Sequence, residues 1–203
     1  MAGLGTKDPN VAYFGQSSIP HGDSLAKLRD RYGIPILAHR DRDFMSDSDL
    51  DAREDKKGFV KNEIPTWFPD GPDIESYFCE RARIAEGLKV LDPVAERIID
   101  KAIQSFDEQE SGMAFETALS RATNFLPASQ GSSLGARWMQ LGEFGARTIK
   151  GKVLLKAIEQ ALRLEFVENA EARRLALLPR LREPSRGLEL EKSLKVEIEQ
   201  LIR

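Results

Sequence analysis

The sequence predicts an α/β fold, a small, mainly parallel sheet followed by a mostly α-helical C-terminal half. The apolar runs Val11-Ala12-Tyr13-Phe14 and Ile34-Pro35-Ile36-Leu37-Ala38 have strand character, and a segment of helical spacing separates them. A strand, a helix and a strand within roughly 30 residues make a right-handed unit with parallel strands the default. From Asp73 onward, apolar residues recur almost only at helical intervals. With 203 residues and 41% hydrophobic content, the chain has enough apolar material for a real core.

Four segments follow from composition. Residues 1–10 are Gly-rich and polar, a flexible N-terminus that Asp8-Pro9-Asn10 closes. Residues 11–80 form the α/β part, residues 81–166 a helical part packed on or beside the sheet, and residues 167–203 a charged helical tail. Within the α/β part, Asp23 or Ser24 caps a helix through Tyr32 that Gly33 ends. Ser46 or Asp47 caps a short helix to about Lys57, and Ile64 to Phe68 is a further strand that Pro65 restricts to an edge. Asp73 opens a helix carrying Glu75 in its first turn, where the positive end of the dipole tolerates an anion. Downstream, helices are expected after Pro93 through Ile103, from Met113 to Leu126, around Trp138, and from Lys150 to about Phe166. Ala128 to Gly135 reads as a flexible loop, and Leu188, Leu190, Leu194 and Ile198 give the tail an apolar stripe.

A net charge of -3 provides no global basic field, so any nucleic-acid contact must come from a local patch or a partner. The single Cys79 excludes an internal disulfide and a cysteine-rich zinc site and suggests a reducing compartment. No apolar run reaches the roughly 20 residues of a membrane span. The N-terminus also lacks the build of a signal peptide, so a cytoplasmic protein without membrane contact is expected.

The chemistry centres on Asp41 and Asp43, just past the apolar run. Strand ends at this edge of an α/β sheet are where such folds place their sites. If the backbone stays extended, residues two apart face the same way, about 6 to 7 Å from each other. Two carboxylates brought together repel unless a cation lies between them, and a hard oxygen-seeking ion such as Mg²⁺ suits that place. The competing reading pairs Arg40 and Arg42 with these aspartates on a solvated loop. Other motifs fail on their own terms. The acidic run at Asp47, Asp49 and Asp51 has Ala52 and Gly58 where a calcium loop needs Gly and Glu. Lys150-Gly151-Lys152 has Val153 where a phosphate-binding loop needs Ser or Thr. His21 and His39 are the only histidines and no nucleophile elbow accompanies them, so His39 is read as a strand-end residue.

Taken together, the strand ending in Arg40-Asp41-Arg42-Asp43-Phe44, Trp67-Phe68 followed by Asp73-Ile74-Glu75-Ser76-Tyr77, and Lys150-Gly151-Lys152 before Leu154-Leu155 resemble the TOPRIM-type domain. The likeness is narrower still to the version fused behind ATPase domains in the overcoming-lysogenization-defect (OLD) family of phage-defence nucleases, and it spans roughly residues 11–165. The resemblance implies a truncated TOPRIM-like sheet and a divalent-metal-dependent endonuclease using Mg²⁺ or Mn²⁺. Asp41, Asp43 and Glu75 would be metal ligands, Lys152 would supply positive charge for the phosphate, and an ATPase would be a partner. Its substrate would be nucleic acid, DNA ahead of RNA. The family's first-strand glutamate has no counterpart, since no Glu occurs before Glu54, and ATPase signatures are absent. The chain therefore reads as the C-terminal portion of a longer ATPase-nuclease or as a standalone remnant. The alternative function is a non-catalytic interaction module that docks a partner or self-associates through its helical half.

Overall fold

The computed structural model describes residues 21–124, 133–165, 194 and 196–200. The expected strand at Val11 to Phe14, most of the loop at 128–135 and most of the charged tail lie outside those residues.

Helix α1 (Gly22–Tyr32) ends where expected, with Gly33 in the left-handed region at φ 63° and its N–H donating to the Arg29 carbonyl. Two short strands follow, β1 (Ala38–His39) and β2 (Thr66–Trp67), which pair in parallel with Ala38 opposite Thr66 and His39 opposite Trp67. The parallel pair thus joins the second and third expected strands. Pro65, which has no N–H to give to a ladder, stands directly before β2, and Pro35 stands three residues before β1. The Ala38 N–H reaches the Pro65 carbonyl and the Arg40 N–H the Trp67 carbonyl, so pairing spans only a few residues.

The crossover between the strands is helical. Helix α2 (Asp47–Ala52) starts with a capping box in which Ser46 and Asp49 satisfy each other's backbone N–H. The expected single helix to Lys57 is broken at Arg53, whose ψ of 132° is extended, and α3 (Glu54–Lys61) begins afresh. The helix that Asp73 opens is a 3-10 helix (Ile74–Cys79), with Glu75 in its first turn. Then come α4 (Arg81–Leu88), α5 (Asp92–Gln104) with Pro93 in its first turn, α6 (Glu108–Thr123) capped by Asp107, α7 (Leu134–Gln140) capped by Ser133, and α8 (Gly151–Glu165). Helix α6 starts five residues before Met113 because the Asp107 carboxylate takes the Glu110 N–H. Residues 196–200 are again helical. Among the described residues no helix is long and apolar enough to cross a membrane.

Side chains alternate across the sheet as a pleat requires. Ala38, with Ile36, packs against Leu25, Phe59 and Ile64 on the α1 and α3 side. Leu37 and Trp67 face the other way, onto Tyr77, Ile74, Leu194 and Ile198. The largest core joins the 3-10 helix to α4, α5 and α8, with Ile84, Ile98 and Ile158 fully buried and Leu154 and Leu162 nearly so. Each such side chain contributes about 1.5–3 kcal/mol of burial. A further cluster sets Phe44, Met45 and Leu50 against Phe115, Leu119 and Ala122 of α6. The helical half is therefore packed onto the end of the sheet that carries Asp41 and Asp43.

Candidate active site

Asp41 and Asp43 leave the C-terminal end of β1, and Asp70 to Asp73 leave the same end of β2. The two loops are tied together where the Asp43 N–H donates to the Pro72 carbonyl at 2.8 Å. The backbone does not remain extended through Asp43. Both Asp43 (φ 49°) and Phe44 (φ 69°) lie in the left-handed region, which costs a side-chain-bearing residue on the order of 1–3 kcal/mol.

Two contacts hold this turn. Phe44 is buried against Phe115, ring centroids 4.7 Å apart. Arg137 of α7 donates from Nε to the Phe44 carbonyl at 2.6 Å and from Nη2 to the Met45 carbonyl at 3.1 Å. A planar fork matches two neighbouring acceptors in a way a lysine does not.

The turn brings charges together. Asp41 keeps an open face to solvent, yet its carboxyl is pushed up to about 6, by desolvation first and then by the carboxylates of Asp43, Asp73 and Glu75; Lys150 opposes them. The charges of Asp43, Glu75 and Asp73 all act on Asp41, although the extended backbone on which the spacing argument relied is not what brings them near it. Lys150 sits on Asp43, Nζ to Oδ1 at 2.6 Å. Burial pulls its ammonium down, but the bond to Asp43 and the charges of Asp43, Asp41 and Asp73 outweigh that and hold it above the ordinary lysine value. Behind Asp43, burial lowers the Arg40 guanidinium while Asp43 supports it. Burial likewise draws Arg53 down to about 10, with Arg40 adding to the effect and Asp43 opposing it. Arg42 turns away, to the Pro69 carbonyl at 2.8 Å and to Asp47 at 2.7 Å.

Asp73 has a different task. It is buried, and its Oδ1 accepts from the Ser76 N–H and hydroxyl while its Oδ2 accepts from the Lys152 N–H. One carboxylate thus closes the N-termini of the 3-10 helix and α8 together. The approach requires Gly151, because a Cβ there would overlap the Ser76 backbone and the Asp73 carboxylate. In the triplet Lys150-Gly151-Lys152 it is the Lys150 side chain that enters the site. The Lys152 side chain is exposed, and only its backbone N–H reaches an acidic residue of the group. His39 stands against Trp67, ring centroids 5.1 Å apart, with Nε2 buried and unpartnered and its pKa lowered by burial.

The donor set, three carboxylates besides the capping Asp73, suits a hard cation. Among the described residues, however, no three His, Cys, Asp or Glu side chains converge closely enough to cage one. An ion here would be held by one or two carboxylates and keep several waters, which is the usual manner of Mg²⁺.

Sequence reasoning did not single out Asp73, Lys150 or Arg137 for this site. Asp73 carried a visible signal, Asp-x-x-Ser before a helix. Arg137, more than 90 residues from the carbonyls it holds, carried none. A cavity of about 410 Å³ opens beside Asp43 and Lys150 along α6. No protein-family model matches the chain, and neither a curated protein nor a solved structure does so.

Proposed function

We propose that this protein is a divalent-cation-dependent phosphodiesterase acting on nucleic acid, a TOPRIM-like nuclease or a remnant of one, with Asp41 and Asp43 as the residues that would hold the ion and Glu75 adding to the negative field around it. The observation that carries the reading is the Asp41 carboxyl, set among three other carboxylates with Lys150 as the cation opposing them. Like charges gathered at a strand end cost stability, and a bound dication relieves that cost. When bound, Mg²⁺ or Mn²⁺ would acidify a water and offset charge on the leaving oxygen.

The chain's own residues do the rest. Asp41 and Asp43 present oxygen ligands from a turn that Arg137 keeps in one geometry. Lys150, held charged, is placed to donate to a phosphoryl oxygen, the task the resemblance gives to Lys152. Asp73 fixes the start of α8 and with it the direction in which Lys150 points. The likeness to nucleases fused behind ATPases adds an ATPase as the expected partner.

The test is nicking of supercoiled plasmid with Mn²⁺. Asp41→Asn and Asp43→Asn are each expected to lower the rate on the order of 100-fold or more. Unchanged nicking in both variants, or no nicking by the unsubstituted protein with or without an added ATPase partner, overturns the reading.

A further inference from the structure

The cavity beside Asp43 has a definite make-up. One end is Asp43 with Lys150, and the wall is a single face of α6, Ala114, Thr117 and Ala118, ending at Arg121. Positions i, i+3, i+4 and i+7 of a helix share one side, so these residues form a continuous strip. From Ala114 to Arg121 the strip rises about 10 Å. Its floor is made of small side chains with the exposed, pliable Met113 at the rim. Arg121 is exposed and makes no ion pair with a described residue. Lys150 offsets the Asp43 charge at one end of the strip, and Arg121 is the second cation that lines it, at the end away from the carboxylates.

We propose that this strip binds one strand of nucleic acid, with an unpaired nucleotide in the cavity and neighbouring phosphates on Lys150 and Arg121. The inference rests on the phosphodiesterase reading and names the substrate class, single-stranded rather than duplex. The groove, about 410 Å³ and open to solvent along one side, has room for one small unit between its two cations. Positive charge along a groove is how sequence-tolerant single-strand sites follow the backbone. A duplex would have to surrender a nucleotide, at the cost of unstacking it.

The experiment measures binding, in EDTA so that no cleavage occurs, by fluorescence anisotropy of labelled oligothymidylate, oligouridylate and a blunt DNA duplex on the full chain. The single strands are expected to bind more tightly than the duplex, and the tighter of the two assigns DNA or RNA. Arg121→Gln is expected to weaken single-strand binding several-fold and to make the slope of log K against log salt shallower by about 0.7, the share of one phosphate contact. Arg31→Gln on the exposed end of α1 serves as the control and is expected to change neither. Because Arg121 lies on the surface, its loss is not expected to unfold the chain, and an unaltered melting temperature verifies that. Equal or tighter duplex binding, an Arg121→Gln variant with wild-type affinity and slope, or no binding of any probe overturns the inference. Arg121-dependent binding without Mn²⁺-dependent nicking upholds the strip and removes the phosphodiesterase.

Discussion

Two regions of this molecule are built on opposite terms. In the core shared by the 3-10 helix, α4, α5 and α8, burial, periodicity and capping agree, and Ile84, Ile98 and Ile158 are completely enclosed. At the end of β1, Asp43 and Phe44 have unfavourable backbone angles and Asp41 sits among like charges. The first region stores stability and the second spends it. The carboxylates are thus held from outside, by Arg137, by Phe115 and by Lys150, and not by the local preference of their own segment.

Substitutions separate the two regions. The largest effect on stability belongs to the core: Ile158→Ala leaves a void where α8 meets its neighbours and is expected to cost about 2–5 kcal/mol in chemical denaturation. A loss under about 1 kcal/mol would mean that the region is far more loosely packed than described. Next comes Arg137→Ala, which strips two carbonyls of their donors and should cost about 1–3 kcal/mol. Arg137→Lys should recover little of this, since an ammonium has no planar fork. Full recovery by lysine would show that charge and not bidentate geometry braces the turn.

Asp41 is exposed, so solvent screening makes its effect the smallest, and its sign is opposite. Its folded pKa of about 6 stands above the ordinary 3.8, so the folded state holds the proton more tightly than the unfolded state. Stability therefore falls as pH rises from about 4 to about 6, and is level with respect to this group beyond. Asp41→Asn should flatten that portion of the melting-temperature profile. Mn²⁺ should raise the melting temperature of the unsubstituted protein above pH 6 and do less for the variant. A variant profile parallel to the wild type would remove Asp41 from the charge cluster.

Local signals were legible in the chain. Gly33 at the end of α1, Ser46 at the start of α2 and Pro93 in the first turn of α5 act through their own backbone within a turn, and each stands where the sequence put it. The strand lengths were less so, because Pro65 limits pairing only once the two strands are set side by side. The break at Arg53 had no local breaker to announce it. Of the site, Asp41 and Asp43 were singled out by their spacing and Glu75 by the likeness, and the charges of Asp43 and Glu75 both act on Asp41. The lysine was not: Lys150 precedes α8 while Lys152 lies in its first turn, and Asp73, by closing the helix start through the Lys152 N–H, decides that Lys150 is the one on Asp43.

Capping, proline and periodicity act over a few bonds, so the chain alone announced the end of α1, the starts of α2 and α5, and two aspartates just past an apolar run. It took the folded chain to bend Asp43 and Phe44 into the left-handed region, to set the Lys150 ammonium on Asp43, and to lay Arg121 of α6 beside them. Those outcomes depend on packing between parts up to 107 residues apart, where the energy of contact outweighs what any one segment prefers.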